Sequence, residues 1–71
     1  MLKKHSIIIA GHASSVSLEP AFWGELQAIA RRDGVSLNQL VSDIDAKREG
    51  NLSSAIRLYV LEDLKRRAAG G

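Results

Sequence analysis

The hydrophobic pattern changes period once, abruptly, at Glu19-Pro20. Before that point Ser15-Val16-Ser17-Leu18 alternates polar and apolar residues, the period of a half-buried strand with Val16 and Leu18 on one face. After it, Phe22, Leu26, Ile29 and Ala30 recur at helical spacing, and Trp23 widens their stripe. Proline is pre-organised for a first helical position, and Glu19 lies beside the positive end of the helix dipole. A chain with this switch is a short strand leading directly into an amphipathic helix.

The rest of the chain fills in around that junction. Ile7-Ile8-Ile9, branched at Cβ, predicts a further strand from Ser6 to Ala10. Gly11-His12 then predicts a bend or bulge with His12 as a turn residue, so strand structure spans about residues 6–18. The first helix is expected at about 20–32, stopped by Asp33-Gly34, glycine suiting the left-handed position after a helix. Ser36 and Gln39 have the spacing of a capping box. They open a second helix at about 37–48 whose buried face is Leu37, Leu40, Val41 and Ile44. Asn51 caps a third helix at about 52–68, whose centre, Ala55 to Leu61, is apolar over more than half its circumference. Ile56 and Tyr59 belong to its core face, and Lys65, Arg66 and Arg67 form a solvated, dipole-complementing end.

Size then becomes informative. A single domain of 71 residues is marginal without a disulfide, a metal or a partner chain. There is no cysteine, and two histidines, His5 and His12, without a carboxylate cluster make a poor metal site. No metal or cofactor is expected, and a homodimer is. Its core would comprise Val16, Leu18, Phe22, Leu26, Leu40, Ile44, Ile56 and Tyr59. Residues 1–18 carry Lys3 and Lys4 and no acid, which suits an anionic partner. Asp43 and Asp45 are two apart on a helix and point in different directions, and no serine has a base and orienting acid at useful spacing, so an enzyme is not expected. No apolar run approaches a membrane span, and Ile7-Ile8-Ile9 is too short for a signal-peptide core; a cytoplasmic protein without membrane contact is expected.

The segment Ser15-Val16-Ser17-Leu18, the stripe through Phe22, Leu26 and Ile29, and then Gly34-Val35-Ser36-Leu37 with Leu40 resembles the ribbon-helix-helix family of Arc, MetJ and CopG. The runs GH to SLE, AFW and LNQLVSDIDAKREGNLSSAIR resemble a bacterial branch of that family. The resemblance implies a mainly α fold with a short N-terminal β-ribbon, an intertwined homodimer and an additional C-terminal helix. It implies one strand from each chain, paired antiparallel and inserted into the major groove of double-stranded DNA. Ala13, Ser15 and Ser17 would then face base edges, and backbone N–H groups near Ser36, Leu37 and Asn38 would hold phosphates, with Lys3 and Lys4 adding further phosphate contacts. One departure stands out. Ribbons of this family usually carry a long polar or basic side chain, whereas all three outward positions here are small.

Two functions follow as expectations. The first is a dimeric DNA-binding transcriptional regulator, with higher-order assembly on DNA open to it. The second is a protein-interaction module of the same fold, antitoxin-like proteins included, with weak or no sequence-specific DNA binding and a protein partner. Antitoxins of this fold usually carry a long disordered tail after the helices, which favours the regulator. The same residues leave open whether Ile7–Ile9 extends the ribbon or forms a separate strand.

Overall fold

A computed structural model describes residues 1–70. The chain order is β1 (Lys3–Ile9), β2 (His12–Leu18), α1 (Pro20–Asp33), α2 (Leu37–Lys47) and α3 (Leu52–Ala69). The two strands form one antiparallel hairpin, running from Lys3 opposite Leu18 to Ile9 opposite His12. The turn is Ala10-Gly11 rather than Gly11-His12: both residues have positive φ, 51° and 79°, as a two-residue turn of type I′ requires. His12 is therefore the first residue of β2, not a turn residue. Ile7–Ile9 forms a strand of its own, β1, which starts three residues earlier than its isoleucines suggest and pairs with β2 within the same chain, where the resemblance implied a ribbon with one strand from each of two chains.

Each helix begins and ends where local chemistry dictates. Proline occupies the first turn of α1, and Gly34, with φ 70°, closes it. The N–H of Val35 bonds to the carbonyl of Ala30 and that of Gly34 to Arg31, a Schellman arrangement. Glu19 makes no capping bond; its carboxylate instead accepts from Nε of Arg57 on α3 at 2.9 Å, and that guanidinium holds it below the usual glutamate range. Ser36 caps α2 by accepting the N–H of Gln39 at 3.0 Å. The reciprocal half of the expected capping box is absent, because the Gln39 amide donates to Asp43 instead at 2.9 Å. Asn51 caps α3 through the N–H of Ser54.

The core lies between the inner face of the hairpin and the three helices. Ile7, Val16 and Leu18 from the strands meet Leu26, Ile29 and Ala30 of α1, Leu40, Val41 and Ile44 of α2, and Ile56 and Val60 of α3. Phe22, Trp23, Leu37 and Tyr59 pack against this set from its margins. His5 stacks flat on Trp23, ring centroids 3.8 Å apart, which seats β1 on α1. All the residues expected to form a dimer core are thus buried or partly buried within one chain.

The far ends of α1 and α3 are clamped by charge. Asp63 is buried, with 2% of its side chain exposed; it accepts from Arg32 at 2.9 Å and Arg66 at 3.4 Å and is ion-paired with Arg67 at 2.9 Å. Arg32 also grips Asp33, and Arg67 reaches Glu25. Hydrogen bonding from Arg32 dominates and holds the Asp63 carboxyl below its ordinary 3.8. The arginines remain half exposed, so removing Asp63 returns them to water rather than stranding them. Asp63→Asn is expected to cost about 2 kcal/mol near neutral pH. Because the folded pKa is depressed, this stabilisation is fully present above the unfolded value and is lost as pH falls through the folded one. Urea unfolding of wild type and Asp63→Asn should therefore differ at pH 6, and the difference should shrink as pH falls below the ordinary carboxyl value of 3.8; a difference that stays constant as the pH is lowered would contradict the clamp.

Candidate nucleic-acid interface

The hairpin register decides which side chains share a face. Val16 and Leu18 are buried, so Ala13, Ser15 and Ser17 point the other way; Ala13 and Ser15 are exposed and Ser17 is half-buried. Opposite them on β1 stand Ile8, Ser6 and Lys4, in the pairs Ile8–Ala13, Ser6–Ser15 and Lys4–Ser17. All three β1 residues are exposed. The outer face of the hairpin is thus a small two-column surface: three serines, one alanine, one isoleucine and one lysine.

Hydrogen bonds at the two strand edges confirm this geometry and show how the edges are closed. The N–H of Ile8 points away from β2, because Asn38 Oδ1 on α2 accepts it at 3.2 Å. Ile8–Ala13 is therefore a non-hydrogen-bonded pair, and by alternation so are Ser6–Ser15 and Lys4–Ser17. Side chains of such pairs approach more closely than those of the other type. The same alternation sends the backbone groups of Ser17 outward from β2. Its carbonyl accepts the hydroxyl of Ser53, from the first turn of α3, at 2.9 Å. One edge of the ribbon is tied to the start of α2 and the other to the start of α3.

Asn38 is consequently an anchor as well as a first-turn residue. It fixes the N-terminus of α2 beside the Ile8 end of the hairpin. Ser36 Oγ is already used on Gln39, whereas the N–H groups of Leu37 and Asn38, in the first turn, have no intrahelical acceptor. These donors and the positive end of the α2 dipole flank the serine face. The structure separates the two lysines expected to act together: Lys4 stands on the serine face, while Lys3 pairs with Leu18 and lies on the opposite one. Among the described residues, neither lysine has a carboxylate within ion-pair distance.

Ser6 and Ile8 were not expected on this surface. Their signal was present in Ala10-Gly11: treated as a two-residue turn, it registers Ile9 with His12 and places every second residue of β1 opposite the serines. Among the described residues there is no cluster of three or more metal-ligating side chains. No described helix is long and apolar enough to cross a membrane.

Two substitutions separate the faces. Val16 is 4% exposed, and Val16→Asp buries a charge in the centre of the core, a cost above about 4 kcal/mol that should leave the chain unfolded by circular dichroism. Ser15→Ala, on the outer face, should change stability by less than about 0.5 kcal/mol. Comparable losses from both would mean that the register is wrong.

A family model described as a ribbon-helix-helix domain matches residues 2–64, which takes in the hairpin, α1, α2 and most of α3. No curated protein and no solved structure matches the chain.

Proposed function

The chain belongs to the ribbon-helix-helix family, and on that premise we propose that it is a DNA-binding transcriptional regulator whose hairpin enters the major groove. Domains of this family are typically DNA-binding regulators or antitoxins, and generally not enzymes. The observation that carries the reading is the outer face of the hairpin. It is polar, has no covering element, and is flanked by an α2 N-terminus with open donors. Two strands about 4.8 Å apart fit a groove about 12 Å wide. Ser15 and Ser17 meet base edges, and their hydroxyls both donate and accept. Leu37 and Asn38 N–H groups, with Ser36 at the cap, hold a backbone phosphate, and Lys3 adds positive charge beside the groove.

The reading includes a homodimer. α3 buries Ile56 and Val60 on one side, yet Leu58, Leu61 and Leu64 on the other are 58%, 48% and 39% exposed. Leu58 also borders a groove between α2 and α3 floored by Leu40, Ile44 and Tyr59. Family domains typically dimerise, and a second copy covering this stripe would stabilise the pair by about 2 kcal/mol for each leucine fully buried. A dimer built on α3 leaves both hairpins open to DNA.

Fluorescence anisotropy over a salt series, with random-sequence and upstream-promoter duplexes, tests the DNA reading. Affinity should fall steeply as salt rises, with a logarithmic slope of about −0.9 for each phosphate neutralised. No binding at low salt sinks it and favours the protein-interaction module. For the dimer, light scattering should report two chains for the wild type and one folded chain for Leu61→Glu, with weaker DNA binding by the variant. A wild-type protein that stays monomeric at high concentration excludes the α3 interface.

A further inference from the structure

β2 by itself is a poor reader of sequence. Ala13, Ser15 and Ser17 are short and uncharged, and a hydroxyl that both donates and accepts discriminates weakly among bases. The hairpin changes what stands beside them. Lys4 lies directly across from Ser17, and Ile8 directly across from Ala13, both in close non-hydrogen-bonded pairs on the outer face. Ile8 is 52% exposed on a surface otherwise made of serines, Lys4 and the small Ala13, and it is not part of the core. Lys4 has no acidic partner among the described residues, and its neighbour Lys3 is on the opposite face.

We propose that β1 is the specificity strand of this protein: Lys4 reads guanine and Ile8 reads the thymine methyl, next to the serines of β2. The inference rests on the DNA-binding reading above and names the bases that it would select. The chemistry fits each residue. A long primary amine is the group on this face able to reach the paired acceptors O6 and N7 of guanine. An exposed branched hydrocarbon has no hydrogen-bonding use in a groove, but it packs against the one apolar group there, the C5 methyl of thymine. Lys4 and Ile8 are four residues apart on one strand, about 13 Å, so they address separate base steps. The ribbon that carries specificity is thus complete within one chain, its second strand supplied by the same polypeptide.

Selection from a duplex pool with a randomised centre, carried out with wild type, Lys4→Ala, Ile8→Ala and Lys3→Ala, tests this. Circular dichroism confirms that each variant is folded. Wild type should recover a motif containing a guanine and a thymine at separate positions. Lys4→Ala should lose the guanine preference about tenfold, and Ile8→Ala should lose the thymine preference. Lys3→Ala, which removes the same charge one residue away, should keep the motif and alter only the salt dependence. Replacing the selected thymine by uracil, which removes the methyl alone, should weaken wild type about fourfold and leave Ile8→Ala unchanged. If wild type selects a motif that Lys4→Ala and Ile8→Ala both retain, β1 is not the specificity strand, although DNA binding stands. If wild type binds no duplex at low salt, both readings fall together.

Discussion

The register of the hairpin is the constraint on which the rest depends. Side chains alternate across a strand, so a slip of one residue would carry a whole strand's inner set to the outside. In β1 that slip would expose Ile7 and Ile9 and turn Lys4 and Ser6 into the core. Two features prevent it. Ala10-Gly11 adopts positive φ at both positions, readily at Gly11 and at a steric cost at Ala10, and fixes Ile9 opposite His12. At the inner face, Ile7 and Val16 fill the core while His5 lies flat on Trp23. Turn chemistry and packing agree on one pairing, and both the core and the serine face follow from it.

A two-stranded ribbon has two open edges, and open edges invite pairing with other chains. Here each edge is met by the opening turn of a helix. Asn38 of α2 accepts from β1, and Ser53 of α3 donates to β2. The residues that do this, Asn38 and Ser53, each lie two positions after the capping residue of their helix, Ser36 and Asn51. The same contacts set the start of α2 beside β1 at Ile8 and the start of α3 beside β2 at Ser17. Each helix opening therefore uses two polar residues, one to cap the helix and one to close an edge of the ribbon.

The helices were largely legible from the sequence because their signals are local. Pro20, Ser36 and Asn51 mark the starts, Gly34 completes a Schellman turn, and the apolar spacing within each segment names the buried face. The alternation of Val16 and Leu18 with the serines was legible for the same reason. The partner of β2 was not. Pairing is a relation between segments, and three successive isoleucines in β1 conceal its alternation: Ile7 is buried, Ile8 exposed and Ile9 half-buried. Lys3 and Lys4 look equivalent as a charged pair and become opposites once the register is known. The Gln39 side chain illustrates a smaller limit. A motif specifies which bond can form, but Asp43 one turn on offers a competing acceptor, and the amide takes it.

Charge placement completes the picture of the interface. The formal net charge is only +2, too little for a strongly basic surface. Most of the arginines are engaged by acids: Arg32, Arg66 and Arg67 with Asp63 and its neighbours, Arg57 with Glu19, and Arg48 with Asp45. That pairing removes much of the positive field from the α1–α3 end of the molecule. Lys3 and Lys4 stand in an N-terminal segment with no acid before Glu19, so their field is not cancelled locally. Among the described residues Arg31, Lys47 and Lys65 on the helices are likewise outside any ion pair, so the two hairpin lysines are two of five unpaired cations. Lys4 stands on the serine face and Lys3 on the opposite one, so the hairpin register rather than the number of cations decides which positive charge lies beside the serines.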